Sequence, residues 1–151
     1  MPKVLPHLWF ENQADEAMAF YMSVFKDSKV LSRTELPDPN LLIVRFELAG
    51  QPIAAMNANS PPHYNDSFSF VVETADQAET DYYWNALIAD GGKEQPCGWL
   101  TDKFGIYWQV TPTRLLQLVA DPDREKADRV MQAMYKMKKI VIADLERAYR
   151  G

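Results

Sequence analysis

Apolar and polar residues alternate along residues 4–10, the period of a β-strand. The spacing then lengthens. Ala14, Ala17, Met18, Tyr21 and Phe25 recur at helical intervals and give residues 13–26 one apolar face. Asn12 stands where a helix cap belongs, and Asp15 follows three residues later, as in a capping box. Three more strands are predicted at 30–35, 41–48 and 53–57, the last two separated by Ala49-Gly50-Gln51, a hairpin signal. Pro37 and Pro39 mark a turn, and Asn59-Ser60-Pro61-Pro62-His63 reads as a loop.

The pattern then restarts. A strand is predicted at 68–72, and Thr74-Ala75-Asp76-Gln77 reads as a capping box. It opens a helix that runs to about residue 89, closed by Gly91 and Gly92. Short strands near 93–95 and 98–100 follow. After them come a turn at Asp102-Lys103-Phe104-Gly105 and a strand over 106–111 that carries Gln109 at its middle. The order β-α-β-β-β thus occurs twice, and Ala14-Asp15-Glu16-Ala17 matches Ala75-Asp76-Gln77-Ala78, as Tyr21 matches Tyr82. A different pattern closes the chain. Asp121-Pro122-Asp123 starts a helix, with Pro122 suited to its first turn. Val130, Met134, Met137 and Val141 form one stripe with Ala127 and Met131 beside it, and a last helix covers about 143–150. The fold class is α+β: two βαβββ modules, about 1–62 and 63–120, form one domain, and 121–151 is a C-terminal helical extension.

Composition narrows the function classes. In a chain of 151 residues, 47% are hydrophobic and 25% charged, which suits one globular domain with a core. The net charge of -5 supplies no cationic surplus for phosphates and argues against nucleic-acid binding. Residues 121–151 hold eight Lys/Arg and six Asp/Glu, a mixed pattern that reads as a solvated face. No apolar run approaches the roughly 20 residues of a membrane span. The first residues lack the apolar core of a signal peptide, and Cys97, the only cysteine, permits no intrachain disulfide. A cytoplasmic protein is expected.

Four segments carry a family resemblance: LWFENQADEAMAFYMSVFKDSKV, GQPIAAMNANSP, CGWLTDKFGIYWQVTP and DPDREKADRVMQAMYKMKKI. Together they resemble the PhnB-like branch of the vicinal oxygen chelate superfamily, which includes glyoxalase I, extradiol dioxygenases and the bleomycin and fosfomycin resistance proteins. The branch is often labelled a 3-demethylubiquinone-9 3-methyltransferase domain. That activity usually needs a glycine-rich strand-turn-helix for its adenosyl cofactor, and the chain has none. The resemblance implies paired βαβββ modules whose sheets curl around a cavity, and a homodimer. In catalytic members a divalent metal sits in that cavity, held from the first and last strands of the modules. Carried onto this chain, those positions fall at about Leu5, with His7 on the same face, and at Asn57, Ser67 and Gln109. Ser67 replaces a histidine and Gln109 a glutamate. A hard or borderline divalent metal favours carboxylates and imidazoles, so no metal and no cofactor is expected.

The cavity candidates are therefore His7, Trp9, Asn57, Ser67, Tyr107 and Gln109. The amides and the hydroxyl can exchange hydrogen bonds with a small molecule, and the aromatic rings suit a neutral or aromatic ligand. The same polar groups could instead satisfy one another in a core, and His7 could be held by a backbone carbonyl. Cys97 lacks a nearby base in sequence and reads as a packing residue. His63 is expected in an exposed loop, and the methionine stripe reads as core or as a dimer contact. The expected function is small-molecule binding without a metal. The alternatives are a divalent-metal-dependent lyase, isomerase or dioxygenase of the same superfamily, and an interaction protein built around its helical tail.

Overall fold

The computed structural model describes all 151 residues. The chain divides into two compact units, Met1–His63 and Tyr64–Gly151. The first contains β1 (His7–Phe10), α1 (Ala14–Val24), β2 (Ser28–Glu35), β3 (Leu42–Leu48) and β4 (Gln51–Asn57). Its four-stranded sheet has the order β1-β4-β3-β2, with β1 parallel to β4 and the other neighbours antiparallel. The β3–β4 hairpin closes at Ala49 and Gly50, both with positive φ, as a tight two-residue turn requires. Leu8, Phe10, Val44, Phe46, Ile53 and Ala55 are buried with Ala14, Ala17, Tyr21 and Val24 of α1. These are the alternate strand positions and the helix stripe that the sequence pattern marks. Arg33 holds β2 to α1 by hydrogen bonds to both carboxylate oxygens of Asp15, and also pairs with Glu35.

The second unit repeats the order with β5 (Phe70–Thr74), α2 (Gln77–Ile88), β6 (Lys93–Glu94), β7 (Trp99–Thr101) and β8 (Tyr107–Pro112). Its sheet runs β5-β8-β7-β6, with β5 parallel to β8. Val72, Leu100, Trp108 and Val110 are buried on one face, where Trp84 and Leu87 of α2 pack. Three helices follow: α3 (Thr113–Val119), α4 (Arg124–Met134) and α5 (Ile142–Arg150). The helical part therefore begins at Thr113, earlier than the acidic Asp121-Pro122-Asp123 signal suggests. Pro122 lies ahead of the cap rather than in the first turn, and Asp123 accepts the Lys126 N–H.

Two other local readings are corrected. The cap of α2 is built by Asp76 and Glu79, not by Thr74 and Gln77: the Glu79 N–H donates to Asp76, and the Glu79 carboxylate accepts the Ala75 N–H. Thr74 instead shares a buried hydroxyl hydrogen bond of 2.7 Å with Thr80. In the tail, Met137 and Val141 lie beyond the end of α4, so the stripe is not one continuous helical face. The tail has its own core of Leu115, Leu118, Val130, Ile140 and Leu145.

The tail is joined to its βαβββ module by Gln77, which leaves all of its capping duty to its neighbours. Its side-chain amide donates to the Ile140 carbonyl at 3.0 Å and to Asp81, and its side-chain oxygen accepts the Ile142 N–H at 2.8 Å. Ile140 also lies against Gly98, whose positive φ and lack of a side chain permit the approach; a Cβ there would meet both Ile140 and the Val110 carbonyl at 3.0 Å. The N–H groups of Cys97 and Gly98 donate to the carbonyls of Met137 and Lys138. Within the tail, Arg114 pairs with Glu146 and holds that carboxyl below the ordinary carboxylate range. Arg129 donates to the last carbonyls of α5. Gln77→Ala removes three hydrogen bonds and should lower unfolding stability by about 1–3 kcal/mol in denaturant titration. A change within roughly 0.3 kcal/mol would show that the tail is held without this side chain.

Candidate functional site

Each sheet has one face packed by a helix and one facing away, and the candidate residues divide between them. In the first unit His7 and Trp9 are exposed at alternate positions of β1, opposite Ala54 and Met56 of β4. Trp9 is 43% exposed, and its Nε1 donates to the Ser60 carbonyl at 2.8 Å, tying the strand to the proline-rich loop. Asn57 takes the other face. It pairs with Phe10 and follows Ala55 by two residues, so its side chain points toward α1. Its Oδ1 accepts the Ala14 N–H at 2.8 Å.

That bond changes the account of the first helix. Gln13 occupies the cap position with no side-chain cap, and Asn12 does not fill it. Asn57, on a strand 43 residues away in sequence, satisfies the first helical N–H instead. Asp15 is engaged by Arg33 rather than by a capping box. A polar residue at the end of a strand carries no sequence mark of such a long-range cap.

In the second unit Tyr107, Gln109 and Thr111 share the face of β8 opposite the buried Trp108, Val110 and Pro112. Across the ladder Gln109 lies between Val71 of β5 and Trp99 of β7. Tyr107 faces Thr101, and Thr111 faces Glu73, so an acidic side chain shares this face. Gln109 Nε2 donates to the Ser69 hydroxyl at 2.9 Å. Ser67, the serine expected to stand here, lies in a turn ahead of β5, where its N–H donates to the Asn65 side chain. The residue that touches Gln109 is thus Ser69. Strand β5 begins two residues later than its hydrophobic pattern suggests, because Phe68 is exposed rather than part of the ladder.

The face around Gln109 mixes a hydroxyl and a carboxamide with apolar surface: Val71 and Phe68 are each 53% exposed, and Trp99 and Tyr107 are half-buried. The serine oxygen, having accepted from Gln109, can donate its own proton onward, and the Gln109 carbonyl oxygen can accept. With the second N–H of the Gln109 amide, the pair therefore offers donors and an acceptor side by side.

A family model described as 3-demethylubiquinone-9 3-methyltransferase matches residues 2–111. The chain belongs to this family. It is a PhnB-like member of the vicinal oxygen chelate superfamily. A PhnB protein from Bacillus cereus is 26% identical over 74% of this chain and 99% of its own, with a TM-score of 0.66. Two less similar structures share the fold. A protein from Pseudomonas aeruginosa is 20% identical over 74% of this chain and 98% of its own, with a TM-score of 0.59. FosX, a fosfomycin resistance protein from Listeria monocytogenes complexed with Mn(II) and sulfate ion, is 17% identical over 72% and 90%, with a TM-score of 0.55. No curated protein matches the chain. The family match ends in β8, so helices α3, α4 and α5 lie beyond it.

The donor set fits a divalent metal poorly. On the second sheet Ser69 and Gln109 would supply a hydroxyl and a neutral amide, and in the first unit Asn57 is committed to α1. No three His, Cys, Asp or Glu side chains are grouped as metal ligands anywhere in the structure. If Asn57 is a cap, Asn57→Ala should destabilise the protein by about 0.5–2 kcal/mol, and Asn57→Asp, which keeps the acceptor, should restore most of the loss. Equal destabilisation by both in chemical denaturation would contradict the capping role.

Proposed function

We propose that this protein binds a small neutral molecule, without a metal, on the sheet face that carries Gln109. The observation that supports this reading is the Gln109–Ser69 pair bordered by Val71, Trp99 and Tyr107. A half-buried polar pair within an apolar surround fixes the orientation of a ligand, while the ring and aliphatic surfaces supply most of the affinity. Neither Gln109 nor Ser69 carries charge and Glu73 shares their face, so an anionic ligand would lose hydration there without gaining a counter-charge. A compound with an adjacent donor and acceptor on an aromatic or aliphatic frame matches the pair, and an aromatic amide is the simplest example.

The activity in the family's name would need a different architecture. An adenosyl donor is usually held by a glycine-rich turn between a parallel strand and the start of a helix. Here the parallel strands β1 and β4, and likewise β5 and β8, come from the two ends of a βαβββ unit, and the entry to α2 is Ala75-Asp76 with no glycine. The reading therefore favours binding over methyl transfer.

A thermal-stabilisation screen with neutral aromatic amides and ketones tests the proposal. At least one compound should raise the melting temperature of the wild-type chain, as ligands that bind only the folded state do. Gln109→Ala and Ser69→Ala should each weaken its binding by roughly fivefold to tenfold, the effect of losing about one hydrogen bond. Undiminished affinity in both variants would place the ligand elsewhere and defeat the reading.

A further inference from the structure

Asp102 is a carboxylate only 3% exposed, in the connection between β7 and β8. Its carboxylate accepts three hydrogen bonds from one hairpin. Its Oδ1 accepts the N–H of Phe104 at 2.9 Å and that of Ile106 at 3.1 Å. Its Oδ2 accepts Trp108 Nε1 at 2.9 Å. Its own N–H donates to the Ile106 carbonyl, and its carbonyl accepts the Gly105 N–H. Trp108 is the residue immediately before Gln109 and points to the opposite face.

The hairpin needs such a fastening. In the first unit β3 and β4 are joined by two positive-φ residues, a turn that fixes strand register through backbone geometry alone. The β7–β8 connection spans Asp102 to Ile106, and β7 has only three residues with which to set its pairing. A one-residue slip of β8 would carry Gln109 to the α2 face and Trp108 or Val110 to the other. One carboxylate that grips both the turn and the Trp108 indole excludes that slip. It admits only the register in which Gln109 stands between Val71 and Trp99 and reaches Ser69.

We infer that Asp102 is a positioning residue for Gln109: acting through Trp108, it sets the orientation of the Gln109–Ser69 pair from the opposite side of the sheet. Its functional meaning rests on the ligand-binding reading above, since it assigns a further residue to the same site. The positioning itself is measurable without any ligand.

The test is the side-chain amide signal of Gln109 in nitrogen-15-labelled full-length protein, identified by its disappearance in Gln109→Ala. Ser69→Ala gives the position of that signal when the hydrogen bond is absent. Trp108→Phe removes the indole donor and leaves the carboxylate and its turn bonds in place. Asp102→Asn keeps one acceptor oxygen and loses the second. The inference predicts that both variants move the Gln109 signal most of the way to its Ser69→Ala position, with faster amide exchange. A purely stabilising role for Asp102 would lower the melting temperature and leave that signal where it is in the wild type. If Asp102→Asn does not fold, Trp108→Phe decides: a folded variant with an unmoved Gln109 signal overturns the inference. A wild-type signal already coincident with that of Ser69→Ala would remove the pair itself, and with it both this inference and the proposed site. An intact wild-type pair with no ligand found would defeat the proposed function alone.

Discussion

Strand β8 has two duties that its alternation must keep apart. Trp108, Val110 and Pro112 are buried, while Tyr107, Gln109 and Thr111 face the other way. The strand is central, paired with β5 on one side and β7 on the other, so its register fixes the faces of both neighbours. Burial of a tryptophan and a valine on one side determines which residues can form a polar site on the other. The chemistry proposed for Gln109 therefore follows from packing decisions made at residues it does not touch.

The C-terminal helices work from the α2 side. Ile140 sits against Gly98 and the Val110 backbone, and the connector between α4 and α5 is held by Gln77 at the start of α2. These contacts brace the buried face of the second sheet. None of them involves Ser69, Gln109 or Trp99. The segment beyond the family match thus braces the module without touching the polar pair.

Much of the fold is legible in the sequence because amphipathic periods report burial directly. The apolar stripe of residues 14–24, the alternation along β3 and β8, and the glycine turns all correspond to observed elements. The site was harder to read for a specific reason. The string match of Ala75-Asp76-Gln77-Ala78 with Ala14-Asp15-Glu16-Ala17 pairs Tyr21 with Tyr82, but Tyr21 is fully buried and Tyr82 is 41% exposed. Burial instead pairs Tyr21 with Trp84 and Val24 with Leu87, two residues later. Ser67, placed by the family resemblance, likewise falls two residues short of Ser69, the serine that touches Gln109. Asn57 failed differently: its role depends on a contact between distant segments, and neither residue type nor spacing encodes that.

The central claim is that the Gln109 face holds a neutral polar pair in place of a metal centre, with Ser69 as its partner. Direct titration of the chelator-treated, tag-free protein with manganese, zinc and nickel tests it most simply, read by calorimetry and by thermal unfolding. The account predicts no saturable binding and no rise in melting temperature with any of the three ions, because a neutral amide and a hydroxyl do not replace carboxylate or imidazole ligands. Binding near one ion per chain that is lost in Gln109→Ala would contradict the account and make this face a metal centre.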